Sequence, residues 1–246
     1  MNDATEPAAV TSYSVAEDGV ALIRLERPRS RNAIDTQMLG ELLEHLAVAR
    51  GDDAVRVLVF SSADHMGFSA GADVREVLDH DGHVRRMEMF SDLYDTIVTF
   101  PKPTVAACHG DVVGGGAEIS IACDLRVGGS NLRMRFPGAA LGMPVGPARL
   151  VTLCGLAAAK YLLLTSRTVG PDEALRLGLI NRVAPAAATE ESALALAASV
   201  AAHPPESVAR LKRMLHEWDD IEGRSAAEGR GQVEHVRGLG FSYPDA

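Results

Sequence analysis

Three consecutive glycines, Gly114, Gly115 and Gly116, precede Ala117 and Glu118 in an otherwise apolar stretch. Glycine is favoured where the backbone adopts unusual torsion angles or approaches a ligand closely. Backbone N–H groups at the start of a helix have no partner inside the helix, so they can bind an anionic oxygen. Glu118 adds a carboxyl group that can transfer a proton. The stretch predicts an active site, and a buried structural hydrogen bond is the alternative role for Glu118.

A second loop of small residues, 67–75, lies between a predicted strand and a predicted helix start, where Asp73 is a candidate N-cap. Amides from two loops that converge on one oxygen form an oxyanion hole, in which loss of one donor costs roughly 10²–10³ in rate. Either loop alone could be an ordinary tight turn. Neither has the P-loop sequence or the glycine spacing of a Rossmann fold.

The elements around these loops alternate between strands and helices. Runs rich in β-branched and apolar residues predict strands at 20–25, 55–60, 104–108 and 125–127. Helical spacing or start signals predict helices at 36–50, 84–100, 118–123, 190–202 and 205–218, and one that starts at 171. This order is typical of an α/β fold. We expect a core over 1–185 and a C-terminal helical region over 186–246.

Charge and composition narrow the function. The net charge of −9 and the pI near 5.4 argue against nucleic acid or an anionic membrane as a partner. The longest charge-free apolar stretch, 150–159, is too short to cross a bilayer, and no signal peptide is recognised, so we expect a cytoplasmic protein. Cys108, Cys123 and Cys154 lack metal-ligand spacing, so we expect reduced thiols and no metal.

Four segments in this order and spacing resemble the crotonase (enoyl-CoA hydratase/isomerase) superfamily. They are RPRSRNAI at 27–34, FSAGADVRE at 68–76, GGGAE at 114–118 and ACDLR at 122–126. The resemblance covers roughly residues 12 to 243. It implies a crotonase (ClpP-like) spiral of ββα units that forms two nearly perpendicular sheets. It also implies a helical C-terminal region that makes homotrimers or hexamers.

The resemblance also implies roles for individual residues. The N–H groups of Ala72 and Gly115 would polarise the thioester carbonyl of an acyl-CoA, and Glu118 would be the acid/base. Coenzyme A would enter as part of the substrate, without a further cofactor. The positions that would contact substrate or coenzyme A are Arg29, Arg31, Ala70, Asp73, Val74, Arg75, Gly114 and Gly138. Arg29 and Arg31 belong to a basic spot that could equally be a solvated strand end.

Three stretches depart from the family pattern. Gly138 stands where hydratases have a second glutamate, so ordinary hydration should be weak, and Gly138→Glu should raise it. Farther along, Gly146 offers no acid either. In the tail, Val233 and Val236 replace an aromatic residue and a lysine that often reach a neighbouring subunit's coenzyme A, a role that Arg237 could take. A substitute acid could come from 79–83, whereas His109 is expected to be structural.

The sequence therefore predicts an acyl-CoA enzyme of the enoyl-CoA hydratase/isomerase family, either a lyase or an isomerase. A single carboxylate suits double-bond isomerisation. The alternatives are a decarboxylase of malonyl-type acyl-CoA and a non-catalytic acyl-CoA-binding protein.

Overall fold

The computed structural model of the chain describes residues 8–64 and 66–239. The strands within these ranges are β1 Thr11–Val15, β2 Val20–Leu25, β3 Val57–Ser62, β4 Gly67–Ser69, β5 Thr104–Cys108, β6 Asp111–Val113, β7 Leu125–Gly129, β8 Arg133–Arg135, β9 Thr168–Val169 and β10 Arg182–Ala184. The helices are α1 Thr36–Gly51, α2 His80–Val98, α3 Gly115–Ala122, α4 Pro147–Thr165, α5 Pro171–Arg176, α6 Thr189–Ala201, α7 Pro205–Asp219 and α8 Ile221–Leu239.

The strands form two sheets. The larger has the order β1-β2-β3-β5-β7-β10, and the smaller has the order β4-β6-β8-β9. Apart from the antiparallel edge pairs β1/β2 and β8/β9, neighbouring strands are parallel. The predicted α/β class is confirmed.

The larger sheet is covered on both faces, which explains why its strands are apolar almost throughout. One face packs in a large cluster that includes residues of α1, α2 and α3. The other face, which includes Val57, Val59 and Val105, packs against the alanines of α6. A short 3-10 helix, Ala186–Ala188, joins β10 to α6 at the predicted boundary near 185. The division into two regions stays a prediction.

One local expectation was wrong. Asp73 does not cap a helix, because no helix begins after it: its Oδ1 accepts a hydrogen bond from Arg75 N and its Oδ2 one from Arg27 Nη1, both at 3.1 Å. The next helix, α2, begins at His80, and its N-cap is Asp79, whose Oδ1 accepts a hydrogen bond from Gly82 N at 2.7 Å. Helices α4 and α8 were not among the predicted helices.

Among the described helices, α4 is long and apolar enough by length and composition to cross a membrane, which the charge-free run 150–159 did not indicate. Only 22% of this span is buried. Gly155 interrupts the helix with non-helical torsion angles, φ 76° and ψ 162°. The helix exposes Leu156, Tyr161 and Leu164.

Candidate active site

The two glycine loops meet because the strands before them are neighbours. Strands β4 and β6 are parallel, with Ser69 opposite Val112, so both loops leave the sheet at the same edge. Gly71 has φ +93°, and a Cβ on it would lie 2.8 Å from Val113 O and 3.2 Å from Gly115 N. The loops are therefore in backbone contact, and a side chain at position 71 would separate them.

The amides of Ala72 and Gly115 are available for a ligand. Hydrogen bonds occupy the neighbouring amides: Gly71 N donates to Ser69 Oγ (3.1 Å), Asp73 N to Ile34 O (2.8 Å) and Gly114 N to Arg135 O (3.0 Å). Within the part of the chain that the structure describes, the Ala72 and Gly115 amides have no recorded acceptor. Gly115 is the first residue of α3, where N–H groups have no partner inside the helix.

Residues of the first motif, 27–34, hold the loop that carries Ala72 in place through hydrogen bonds. Asn32 is fully buried with φ +51°, and its Nδ2 donates to Ser62 Oγ at 2.7 Å and to Phe68 O at 3.2 Å. The backbone that follows Asn32 forms a bridge with the second loop, in which Ile34 N donates to Gly71 O at 2.7 Å. The loop that carries Ala72 is thus fixed by hydrogen bonds on both sides.

A cavity of about 250 Å³ lies in front of the two amides. Its wall includes Met87, Phe90 and Tyr94 of α2 and the segment 137–145. The lining is mostly apolar, and Arg135 is the one residue with a formal charge among those that form it. An apolar pocket with a few converging polar groups is typical of a small-molecule site.

The predicted substrate-contacting residues separate into two groups. Those on the cavity wall are Ala70, Ala72, Val74, Gly114, Gly115 and Gly138. Those away from it are Arg29, Arg31, Asp73, Arg75 and Glu118. Arg29, Arg31 and Arg75 are exposed to solvent. Burial alone would raise the pKa of Asp73, but hydrogen bonds from Arg75 N and Arg27 lower it, so this residue is an ion-pair anchor.

Glu118 is fully buried and bound to Arg149 of α4. Its Oε2 accepts hydrogen bonds from Arg149 Nη2 at 2.8 Å and from Nε at 3.3 Å. Its Oε1 has no hydrogen-bond partner among the described residues and lies 2.5 Å from where a Cβ on Gly146 would be. Burial raises the pKa of Glu118 to about 7, against the lowering effect of Arg149, and Glu228 raises it further.

Glu118 therefore lies directly behind the cavity wall. Val145 forms part of that wall, and the next residue, Gly146, faces the unpaired Oε1. A carboxyl group that titrates near neutral pH can both give and take a proton there.

Arg149 and Glu228 are site residues that the sequence reasoning missed. Arg149 lies in a mostly apolar helix whose other cation, Lys160, is exposed. A cation that is buried in an apolar stretch needs an acid partner, which was the available signal. The tail residues also pack within the chain: Val236 is buried, and Arg237 Nη2 lies 2.9 Å from Glu88 Oε1.

Gly138 leaves no room for the missing second acid. A Cβ at this position would overlap the carbonyl oxygen of Met143, because the segment folds back on itself through the bond from Met143 N to Gly138 O at 2.8 Å. A glutamate at position 138 therefore requires this loop to shift, and the expected gain in hydration by Gly138→Glu stays a prediction.

The other candidates have structural partners. His109 is buried, and its Nε2 lies 2.7 Å from Asp64 O. Arg24, which belongs to the same basic spot as Arg29 and Arg31, pairs with Glu190 at 2.7 Å. The three cysteines are free, and burial raises the pKa of Cys108 to about 12. Over residues 8–64 and 66–239, no group of three His, Cys, Asp or Glu side chains could hold a metal.

The chain is similar to known proteins in both sequence and structure. The family model described as enoyl-CoA hydratase/isomerase matches residues 15–233. A curated relative, 2,3-dehydroadipyl-CoA hydratase of Escherichia coli, is 31% identical over 82% of this chain and 80% of its own length. Mouse enoyl-CoA hydratase domain-containing protein 2 is 36% identical over 83% of this chain and 72% of its own length. The crystal structure of an enoyl-CoA hydratase/isomerase from Xanthobacter autotrophicus Py2 superposes with a TM-score of 0.86, at 26% identity, over 97% of this chain and 90% of that one.

Proposed function

The chain belongs to the enoyl-CoA hydratase/isomerase family, and we propose that the amides of Ala72 and Gly115 hold the thioester oxygen of its acyl-CoA substrate. The observation that carries this proposal is that two amides on one apolar cavity donate to no acceptor within the described residues. Negative charge develops on a thioester oxygen when an enolate forms, and fixed donors stabilise that charge without reorganising. Coenzyme A enters only as part of the substrate.

Glu118 is the proposed proton carrier. Its unpaired Oε1 faces Gly146, next to cavity residue Val145, and its pKa of about 7 gives both protonation states at neutral pH. Because the carboxyl lies one residue behind the wall, proton transfer requires a small shift of the 145–146 backbone or a connecting water.

A single carboxyl favours double-bond isomerisation over hydration. Isomerisation needs one group that removes a proton from one carbon and returns it to another. Hydration by two acids is disfavoured, because position 138 has no acid and its backbone packs against Met143. The relative from Escherichia coli is named as a hydratase, so weak hydration is a property proposed for this chain alone.

Decarboxylation of a malonyl-type thioester is the second candidate. It is favoured by the position of Glu118 behind the cavity wall, since loss of carbon dioxide creates the enolate without a general base. The oxyanion hole would have the same role in this reaction.

We also propose that the chain assembles through the exposed apolar side chains of α4 and α7. These are Leu156, Tyr161, Leu164, Leu211, Leu215 and Trp218, which are 55–77% exposed. Exposed apolar surface of this extent is typical of an interface, and a homotrimer or a dimer of trimers is the arrangement proposed.

A panel of thioesters tests the reaction. The purified protein is incubated with crotonyl-CoA, a 3-enoyl-CoA, a dienoyl-CoA and methylmalonyl-CoA, and products are separated by chromatography. We expect the 3-enoyl-CoA to be isomerised faster than crotonyl-CoA is hydrated. Release of carbon dioxide from methylmalonyl-CoA alone would favour the decarboxylase. Binding of the thioesters without any product would identify a non-catalytic binder and overturn the enzymatic proposal.

The variant Glu118→Gln tests the proton carrier. Turnover should fall by at least about 10²-fold, while acyl-CoA affinity stays within a few-fold, because Glu118 does not line the cavity. Glu234→Gln is the matched control, since it makes the same change at an exposed position of α8. Undiminished turnover in Glu118→Gln would refute the assignment.

A further inference from the structure

The guanidinium of Arg149 forms ion pairs with two buried carboxylates, those of Glu118 and Glu228. Arg149 Nη2 lies 2.8 Å from Glu118 Oε2 and 2.8 Å from Glu228 Oε1. The exposed fractions of the three side chains are 2% for Arg149, 0% for Glu118 and 7% for Glu228. Water therefore screens these charges weakly, and the charge of Glu228 acts on the Glu118 carboxyl.

Glu228 reaches this position from the C-terminal helix. Its carboxylate also accepts hydrogen bonds from Gly146 N at 2.8 Å and Ala148 N at 2.6 Å, the amides at the start of α4. Gln232 Nε2 donates to the same carboxylate at 2.8 Å. Glu228 is thus fixed by three donors besides Arg149, and it holds the Gly146 backbone that faces Glu118.

Helix α2 completes the surroundings. The Tyr94 ring lies under the Arg149 guanidinium, 4.9 Å from ring centroid to Cζ. Arg149 Nη1 donates to Ser225 Oγ at 2.9 Å, and Ser225 donates to Asp95 Oδ1 at 2.7 Å. Asp95 is linked to Arg149 only through a neutral hydroxyl, so Glu228 is the carboxylate that competes directly with Glu118.

The summed charge of Glu118, Arg149 and Glu228 affects how readily Glu118 binds a proton. A pair formed by Glu118 and Arg149 alone would hold Glu118 ionised, because a neighbouring cation favours the carboxylate. With Glu228 also ionised, the three groups carry a net charge of −1 in a buried setting, and a proton on Glu118 removes that charge. The unpaired Oε1 is the oxygen free to carry this proton.

We propose that Glu228 is a positioning residue for Glu118: by dividing the Arg149 guanidinium between two carboxylates, it controls the proton affinity of the Glu118 carboxyl. This inference rests on the proposed role of Glu118 in proton transfer. It assigns the C-terminal helix a part in the chemistry, through a residue that does not contact the cavity.

Glu228→Gln tests the inference, because it removes the charge and keeps the size of the side chain. The titration of Glu118 is followed by infrared spectroscopy as the protonated-carboxyl band that is absent from Glu118→Gln. In the wild type, the midpoint is expected near pH 7. In Glu228→Gln, it should move down by about 1–2 pH units, because loss of a neighbouring negative charge favours ionisation.

Glu234→Gln on the exposed side of the same helix should leave the midpoint unchanged. If Glu228→Gln does not fold, Glu228→Asp is measured instead. Its side chain is one methylene shorter, so the carboxylate lies farther from Arg149 and Glu118. The midpoint should then move in the same direction by a smaller amount. A midpoint that stays within about 0.3 unit of the wild type in the folded variant overturns the inference.

The pH profile of turnover separates this inference from the proposed function. If both hold, the profile of Glu228→Gln moves down with the infrared midpoint. A midpoint that moves while the profile stays in place supports the control by Glu228 and overturns the catalytic use of Glu118.

Discussion

At the residue scale, Gly146 is the point at which the backbone meets the proposed acid. It has φ +95°, and a Cβ would lie 2.5 Å from Glu118 Oε1. Gly146→Ala should therefore displace Glu118 and lower kcat strongly, and it should destabilise the protein by more than the roughly 1–2 kcal/mol of left-handed strain. Urea unfolding and steady-state kinetics measure both effects.

Gly155→Ala is the matched control for Gly146→Ala. Gly155 also has a positive φ, +76°, but a Cβ there would meet nothing within 4 Å. At φ 76° and ψ 162° an alanine is strained at least as strongly as at position 146, so this variant should lose stability and still leave kcat unchanged. Equal losses of activity in the two variants would contradict the role of Gly146.

The raised pKa of Glu118 predicts how stability depends on pH. The folded pKa is about 7 and the ordinary value is 4.5, so the folded state binds more protons between these values and stability falls as pH rises through them. Glu118→Gln lacks this loss and leaves Arg149 paired with Glu228. The free energy of unfolding of the variant, relative to the wild type, should rise by about 2–3 kcal/mol between pH 4.5 and 7. A constant difference between the two proteins would show that Glu118 titrates normally.

Sequence reasoning identified residues whose backbone lines the candidate site, and it missed the buried partners of Glu118. Ala72, Gly115 and Glu118 stand in short motifs, where small residues and an acid are close in the chain. Arg149 and Glu228 are 31 and 110 positions from Glu118, and only the packing of α4 and α8 brings them to it. The sequence around a charged residue does not show which residue will be its ion-pair partner in the fold.

At the element scale, α8 shows how glycine conceals a helix from sequence patterns. Gly223, Gly229, Gly231 and Gly238 all lie within it, and each lowers the intrinsic preference for a helix by roughly 1 kcal/mol relative to alanine. Packing against α2 stabilises the helix: Ser225 donates to Asp95, and Gly229 lies against Ser91. The expected cap at Asp73 was wrong for another reason: no helix begins there, and α2 starts only at His80, after Asp79.

Two of these glycines make a matched pair for testing α8. A Cβ on Gly231 would meet nothing within 4 Å, so Gly231→Ala should stabilise the protein by about 0.5–1 kcal/mol. A Cβ on Gly229 would overlap Ser91 Oγ, so Gly229→Ala should separate α8 from α2 and destabilise the protein despite the better helix propensity. Urea midpoints compare the two variants, and stabilisation by both would mean that α8 is not packed as described.

At the scale of the whole molecule, the alternation of predicted strands and helices indicated the α/β class, and the order of four motifs indicated the family. The assignment of strands to two sheets did not follow from local patterns. Strand β3 belongs to the larger sheet, whereas the next strand along the chain, β4, pairs with β6 in the smaller one. This switch places both glycine loops at one edge, so the site is a property of the topology as much as of its motifs.

Assembly is the remaining prediction at this scale. Leu164, Leu215 and Trp218 are 75%, 61% and 77% exposed in the single chain, and large apolar side chains in such numbers are costly in water unless they are covered. Light scattering after size-exclusion chromatography should show a trimer or a hexamer. The double variant Leu164→Asp and Leu215→Asp should shift it to smaller species, because it places charges in the proposed interface. Val77→Asp, at a position 96% exposed outside α4 and α7, is the control that should leave the mass unchanged. A monomeric wild type would mean that α4 and α7 form no interface with a second copy of the chain.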